Sequence, residues 1–388
     1  GKATDPLSDT SVCERDIKNL KDLGVNTVRV YIADNSKSHK DCMNMLADAG
    51  IYLVVDVNNE KYSINNLAPR KSYNAAYLQN VFATVEEFAQ YPNTLAFFSG
   101  NEVISDKAGT DKAAPYVKAV TRDIKNYMNS RGLRKVPVGY SAADVSKNRF
   151  QTAQYMNCGS DDMRSDFFAF NDYSFCNTDF KTAGWDAKVQ KFSDYGLPIF
   201  LSEYGCIKNR PRKFEEVEAL MSSEMTSVYS GGLMFEYSYE ENMFGIVDVD
   251  GDTAKPRPEF QNFKASLSKN AAPKGNGGAS TKSHSAPCPT KDSDWNVDPS
   301  KVPAMPKEAE KYMKDGAGKG LGLTGKGSID DESSGTSTSD VTSGTPSPNK
   351  GDGSDNENAA STHASLGMLP VLTTGITVLC TVFGALML

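Results

Sequence analysis

Over residues 1–265 the chain alternates between short apolar runs and longer helical patterns, and that rhythm limits its fold more than any other feature. The runs at 25–31, 51–57, 95–101, 136–141, 166–171, 198–203 and 232–238 read as buried strands. Around them, Glu14–Leu23, His39–Ala49, Asn74–Gln90, Ala113–Ser130 and Phe214–Tyr229 carry helical patterns. Gly24 and Gly50 close two of these helices and lead straight into strands. Strand–helix alternation specifies a parallel α/β fold, here a (β/α)8 barrel of the TIM type, for which about 250 residues suffice. Seven strands are legible where a closed barrel needs eight, and nothing before residue 13 reads as the first. The expectation is a barrel lacking its first strand, with two strand edges unpaired.

In such a barrel the strand C-termini converge on one mouth, where functional side chains collect. Glu102 ends the run Leu95-Ala96-Phe97-Phe98-Ser99-Gly100-Asn101, and Glu203 ends Pro198-Ile199-Phe200-Leu201-Ser202. Two carboxylates at one mouth suit glycoside cleavage, one as acid/base and the other as nucleophile or base. Either glutamate alone would read equally well as an exposed strand end or half of an ion pair.

Beyond residue 268 the composition changes. Residues 1–268 form the expected catalytic barrel. Residues 269–315 are an irregular, proline-bearing extension with one short helix around Lys307–Lys314, expected to pack on the barrel. Residues 316–365 are rich in Gly, Ser, Thr and Asp, with too few large apolar side chains to bury, and read as a disordered stalk. Residues 366–388 carry no charge. They read either as a transmembrane helix or as the hydrophobic tail of a GPI signal, and the polar stalk before them together with the absence of a following Lys or Arg favours the GPI reading. Asn358, with Ala359 and Ala360, is the expected attachment site. The chain opens on a polar stretch that does not read as a secretory signal, so the expectation is a signal already removed or an incomplete N-terminus, and no Asn-x-Ser/Thr sequon occurs. A formal net charge of −7 argues against nucleic acid as a partner.

Of seven cysteines, Cys380 lies in the hydrophobic tail, leaving six, an even number that fits an oxidised secreted framework. Six allow 15 pairings, and chain order narrows them. Cys13 and Cys42 sit on helices flanking the first visible strand. Cys176 and Cys206 follow neighbouring strands at the same mouth. Cys158 and Cys288 remain, tying the extension to the barrel. The three histidines are scattered and no CxxC spacing occurs, so no metal site or cofactor is expected.

Several motifs appear in order along the chain: Val28-Arg29-Val30-Tyr31, Gly100-Asn101-Glu102, Val138-Gly139-Tyr140, Ser202-Glu203-Tyr204-Gly205-Cys206, and Gly231-Gly232 with Glu236-Tyr237-Ser238. With Pro303-Ala304-Met305-Pro306 and Tyr312 to Gly320, they resemble glycoside hydrolase family 72, the GPI-anchored 1,3-β-glucanosyltransferases of fungal cell walls. The resemblance covers about residues 5 to 327. It implies an enzyme that cuts β-1,3-glucan internally and joins the new reducing end to another glucan, with retention of configuration. It also implies a monomer on the outer face of the plasma membrane or in the wall. Only Cys288 and Cys380 follow Cys206, too few for the cysteine-rich carbohydrate-binding module of some members, so the resemblance is to the single-domain subgroup.

Residue by residue, the resemblance implies Glu102 as acid/base and Glu203 as nucleophile, with Arg29 holding Glu203 as a carboxylate through a charge-assisted hydrogen bond. Tyr31, Asn101, Asp144, Arg149, Tyr173, Phe235 and Tyr237 match substrate-binding positions. As loop residues, Asp144 and Arg149 also have each other as partners, and Tyr173 reads nearly as well as a packed mouth tyrosine. Phe235 stands where the family usually has tyrosine, keeping an aromatic face and losing a hydroxyl. Two other functions stay open on the residues alone: plain β-1,3-glucan hydrolysis, and glucan binding without catalysis.

Overall fold

The computed structural model describes residues 4–329 and 376–381. Seven parallel strands form the expected barrel: β1 (Thr27–Val30), β2 (Tyr52–Asp56), β3 (Thr94–Asn101), β4 (Val138–Ala143), β5 (Phe167–Asp172), β6 (Ile199–Tyr204) and β7 (Tyr229–Met234). A two-stranded hairpin, β8 (Val247–Asp250) and β9 (Thr253–Pro256), follows them. The eighth barrel position is filled by β10 (Ile376–Thr381), antiparallel to both neighbours. It pairs Val28 with Val378 on one side and Leu233 with Leu379 on the other, so the two edges expected to be bare are paired. The remainder of the hydrophobic segment, and Asn358, lie outside the described residues.

Local chemistry explains most of the element ends. Asp9 caps the helix Thr10–Leu23 by accepting from Ser11 N, and Gly24 ends it at φ 76°, a left-handed value that glycine adopts without strain. Asn74 caps the helix Ala75–Ala89 in the same way through Tyr77 N. The helix expected over 214–229 is instead two short ones, Glu216–Leu220 and Ser223–Thr226, because the Ser222 side chain caps a new start at Met225 N. β7 lies three to four residues earlier than expected. Its Gly232 is packed so closely that a Cβ there would sit 2.8 Å from the Tyr204 ring.

The barrel interior is filled from below by Val54, Ala96, Phe98, Phe167, Ala169, Phe200 and Leu233. Phe98, Phe167 and Phe200 meet edge-on or tilted at 5.3–6.0 Å between centroids, and Gly139 leaves the room that the Phe167 ring occupies. This aromatic floor closes the barrel and leaves only its upper end for chemistry.

Three disulfides join Cys13 to Cys42, Cys158 to Cys288 and Cys176 to Cys206, the pairing expected from chain order. The extension is seated on the barrel: Trp295 is fully buried against Tyr155 at 5.6 Å, and Arg122 donates to Pro303 O at 2.8 Å. The seating does not stop at 315. Ala317 N donates to Tyr127 Oη, Gly322 N to Asn35 Oδ1 and Ser328 N to Lys61 O. Residues 316–329 are thus a strap across the barrel, not the start of a stalk. Among the described residues no helix is long and apolar enough to cross a membrane.

Candidate active site

Arg29 is the floor of the site. It projects from β1 into the barrel, fully buried, with its guanidinium sandwiched between the rings of Tyr31 (4.2 Å) and Phe98 (4.4 Å). Its Nε and Nη2 bind both oxygens of Asp56, the last residue of β2, at 3.0–3.2 Å. Its Nη1 donates to Glu203 Oε1 at 3.2 Å and to Ser202 O at 3.3 Å. One cation therefore serves two buried carboxylates. Burial pushes the Asp56 carboxyl up to about 6 despite the guanidinium beside it.

Glu203, on β6, is buried and held on both oxygens. Besides Arg29, Tyr31 Oη donates to Oε1 at 2.8 Å and Tyr173 Oη to Oε2 at 2.6 Å. Three donors from β1 and from the ends of β1 and β5 fix its orientation and balance its charge. Its neighbour Ser202 also points inward, donating to Asn171 Oδ1 at 2.8 Å. Two consecutive strand residues cannot share a face in a regular pleat. The β6–β7 pairing shifts register between Leu201 and Tyr204, which gives Glu203 its inward aim.

Glu102 follows β3 and is half-buried. Its backbone lies in the left-handed region at φ 47°, uncommon for a residue with a side chain, and its N–H donates to Ser141 O at 2.9 Å. Its Oε1 accepts from Asn171 Nδ2 at 2.9 Å. Burial, and then the negative charge of Glu203, push the Glu102 carboxyl up to about 7, against the pull of the Asn171 hydrogen bond and Arg29. The two glutamates are thus placed in unlike surroundings, one held by donors and one disposed to carry a proton, as an acid and nucleophile division requires.

Asn171, near the end of β5, links the parts. It donates to Asn101 Oδ1 at 3.1 Å as well as to Glu102, while Ser141 Oγ lies 2.6 Å from Asn101 Oδ1. With its amide oxygen so engaged, the exposed Asn101 keeps its amide nitrogen as a donor for a ligand. Phe235, half-buried, stands edge-on to Tyr31 (6.3 Å) and Tyr173 (6.2 Å) and against Phe244 (5.2 Å), an aromatic wall beside Glu203.

The structure brings Arg29, Tyr31, Asn101, Glu102, Tyr173, Glu203 and Phe235 together. Tyr237 is elsewhere: it is fully buried and donates to Asp16 Oδ1 at 3.0 Å on the first helix. The chain leaves the strand after Met234, so alternation from β7 no longer aims Tyr237 inward. Asp144 and Arg149 pair with each other, and Asp144 Oδ2 also accepts from Lys188 Nζ at 2.6 Å. Their side chains are engaged in an ion-pair cluster, not presented to the carboxylates. The sequence pattern does not single out Asp56, Asn171, Ser141 or Ser202 as site residues. Asp56 carried a usable signal, a carboxylate ending an apolar run, as at Glu102 and Glu203. Glu236, buried beside this wall, has one oxygen without a partner, and burial pushes its carboxyl up to about 8. Among the described residues no group of three or more His, Cys, Asp or Glu side chains could hold a metal ion.

The sequence profile of a family described as glucanosyltransferase, within glycoside hydrolase family 72, matches residues 1–271. The 1,3-beta-glucanosyltransferase gel1 of Aspergillus fumigatus is 58% identical over 323 residues, 83% of this chain and 71% of its own. The 1,3-beta-glucanosyltransferase GAS5 of Saccharomyces cerevisiae is 49% identical over 82% of this chain and 66% of its own. The solved structure of Saccharomyces cerevisiae Gas2p in complex with laminaripentaose is similar at a TM-score of 0.73 and 35% identity, covering 79% of this chain and 70% of that one.

Proposed function

The chain belongs to the glucanosyltransferase family, and we propose that it cuts β-1,3-glucan internally and transfers the new reducing end to a second glucan by a retaining double displacement. The observation that carries this reading is the unlike pair itself, Glu203 gripped by Arg29, Tyr31 and Tyr173, and Glu102 with its carboxyl raised to about 7.

In the first step a Glu203 oxygen attacks the anomeric carbon, the glycosidic C–O bond breaks, and Glu102 gives its proton to the departing oxygen. The covalent glycosyl–Glu203 ester holds the donor fragment while the reducing-side product leaves. In the second step Glu102, now a carboxylate, takes the proton from an acceptor sugar hydroxyl as that oxygen displaces Glu203, so both groups return to their starting states. Tyr31 and Tyr173 release part of their hydrogen bonding as charge leaves Glu203 and regain it on breakdown of the ester. The Asn101 amide is suited to a sugar hydroxyl near the reacting carbon, and the Phe235 wall to an apolar sugar face.

A GPI anchor at Asn358, attachment to the outer face of the plasma membrane and a monomeric state belong to the same proposal. They rest on the polar residues 330–365, the uncharged segment 366–388 and the family resemblance, and cleavage after Asn358 would take β10 out of the barrel of the anchored protein. The reaction is tested by incubating the disulfide-bonded protein with a reduced laminari-oligosaccharide. Products longer than the substrate establish transfer, shorter products alone establish hydrolysis, and binding without either reduces the protein to a glucan-binding role.

A further inference from the structure

On the outer side of β5, directly behind the site, lies a buried charge cluster that the reaction as derived does not use. Asp172 is 1% exposed and sits between Asn171 and Tyr173 in sequence. Strand alternation turns those two inward, where Asn171 holds Glu102 and Tyr173 holds Glu203. Asp172 turns outward and accepts from Lys188 Nζ at 2.5 Å, and from Ser174 N and Oγ at 2.9 and 2.5 Å. Lys188 comes from the helix Trp185–Phe192 and also reaches Asp144, the first residue after β4, whose other oxygen is paired with Arg149. One buried ammonium therefore ties the end of β5 to the end of β4 and to the helix that follows.

We propose that the Lys188–Asp172–Asp144–Arg149 cluster positions Asn171 and Tyr173 for the reaction, Lys188 and Asp172 acting through those two residues on both carboxylates. A buried ion pair adds little net stability over apolar packing, because desolvating the charges offsets their attraction. What it does supply is a fixed geometry, since a shift of either partner leaves a buried charge uncompensated. The bonds from Asn171 and Tyr173 are short, and a displacement of well under 1 Å at the strand end would lengthen both together. The cluster is electrically balanced, two carboxylates against two cations, so it can hold the strand end without itself adding net charge behind the site.

The inference rests on the proposed roles of Glu102 and Glu203, and its test is chosen to stand apart from activity. The groups facing Glu102 are Glu203 and Asp106, which raise its pKa, Arg29 and Asn171, which lower it, and the phenols of Tyr140 and Tyr173. Loss of the Asn171 bond therefore moves the Glu102 titration upward. Lys188→Met, Lys188→Arg and Asp172→Asn are made in the full, disulfide-bonded chain, and the Glu102 carboxyl is titrated by isotope-edited infrared spectroscopy, with thermal melting measured in parallel. Lys188→Met and Asp172→Asn should each raise the Glu102 midpoint by about half a pH unit and lower kcat more than they raise KM. Lys188→Arg should restore most of both. A melting point that falls while the Glu102 midpoint and kcat stay at their wild-type values would make the cluster purely structural and overturn the proposal. If Lys188→Met does not fold, Asp172→Asn, which keeps the Lys188–Asp144 pair, decides by the same midpoint. An unaltered protein without transferase or hydrolase activity would count against the reaction, and the midpoint would still decide on the cluster.

Discussion

Tyr173 donates its hydroxyl hydrogen to Glu203 Oε2 at 2.6 Å, and it does so from a strand end whose Asn171, two residues earlier, binds Glu102. A single segment at the end of β5 thus addresses both carboxylates. That arrangement couples them physically, since any movement of this strand end is felt at the acid and at the nucleophile together.

Removing the Tyr173 hydroxyl tests the grip on the nucleophile. A hydrogen bond to a charged group is worth about 1.5–3 kcal/mol, so Tyr173→Phe should lower kcat by roughly 10- to 100-fold. KM for a long laminari-oligosaccharide should change little, because the phenyl ring keeps its place against Phe235 and Phe244. Steady-state kinetics on the folded variant checks this, and an unchanged kcat would remove Tyr173 from the mechanism.

The raised Glu102 carboxyl sets the alkaline side of the pH profile. Below about 7 it carries the proton the leaving group needs, and above that it does not, so kcat/KM should fall as pH rises through about 7. Glu203 is one of the charges that raise it. In Glu203→Gln that charge is gone and the Glu102 midpoint should drop, which infrared titration of the inactive variant can read directly. A midpoint that stays put or rises would contradict the assigned coupling.

A second pH effect lies outside the carboxylate pair, where Asp5 accepts from Asp34 N in the segment after β1. His39 Nε2 meets Asp5 Oδ2 at 2.7 Å and its Nδ1 meets Glu87 Oε1 at 2.9 Å, so with carboxylates on both nitrogens the ring is an imidazolium clamp. Burial pulls its pKa down, but the two carboxylates outweigh burial and raise it to about 9. A group raised above its unfolded value stabilises the fold fully below that value, about 6.5, and loses the contribution as pH rises through the folded one. The melting temperature should therefore decline between about pH 6.5 and 9. His39→Gln should be less stable at low pH and lack that component of the decline. Parallel slopes in the two proteins would refute the clamp.

The strap over 316–329 yields a steric prediction. A Cβ at Gly325 would lie 2.0 Å from Tyr62 Oη, so Gly325→Ala should lower the melting temperature. Tyr62→Phe removes the atom in the way, and the double variant should recover part of the loss. Independent, additive effects in this cycle would mean that residue 325 does not rest on Tyr62.

Much of this was legible in the residues. Glu102 and Glu203 could be placed because each ends an apolar run, and strand termini gather at one mouth in a parallel barrel whatever the details of packing. Tyr31 and Phe235 are marked only by the family motifs that contain or flank them, Val28-Arg29-Val30-Tyr31 and Glu236-Tyr237-Ser238. The strap is not legible in the sequence, because a Gly-rich composition looks like a chain with nothing to bury. Glycine here serves close approach instead: at Gly320 a Cβ would meet Asn35 O at 2.2 Å, and at Gly322 it would meet Asp34 Oδ1 at 2.7 Å.

The sequence by itself determined the seven parallel strands, the three disulfide pairings and the two carboxylates at strand ends, because each depends on local pattern and chain order. Only the tertiary structure decided which way individual side chains face. Ser202 and Glu203 both point into the barrel through a register shift in β6, while Tyr237 points out to Asp16 because β7 ends at Met234. It also decided the partners: Arg29 shared between Asp56 and Glu203, and Asp172 held by Lys188 sixteen residues further on. Strand register and long-range charge pairing arise from the packing of elements distant along the chain, and local pattern carries no record of them.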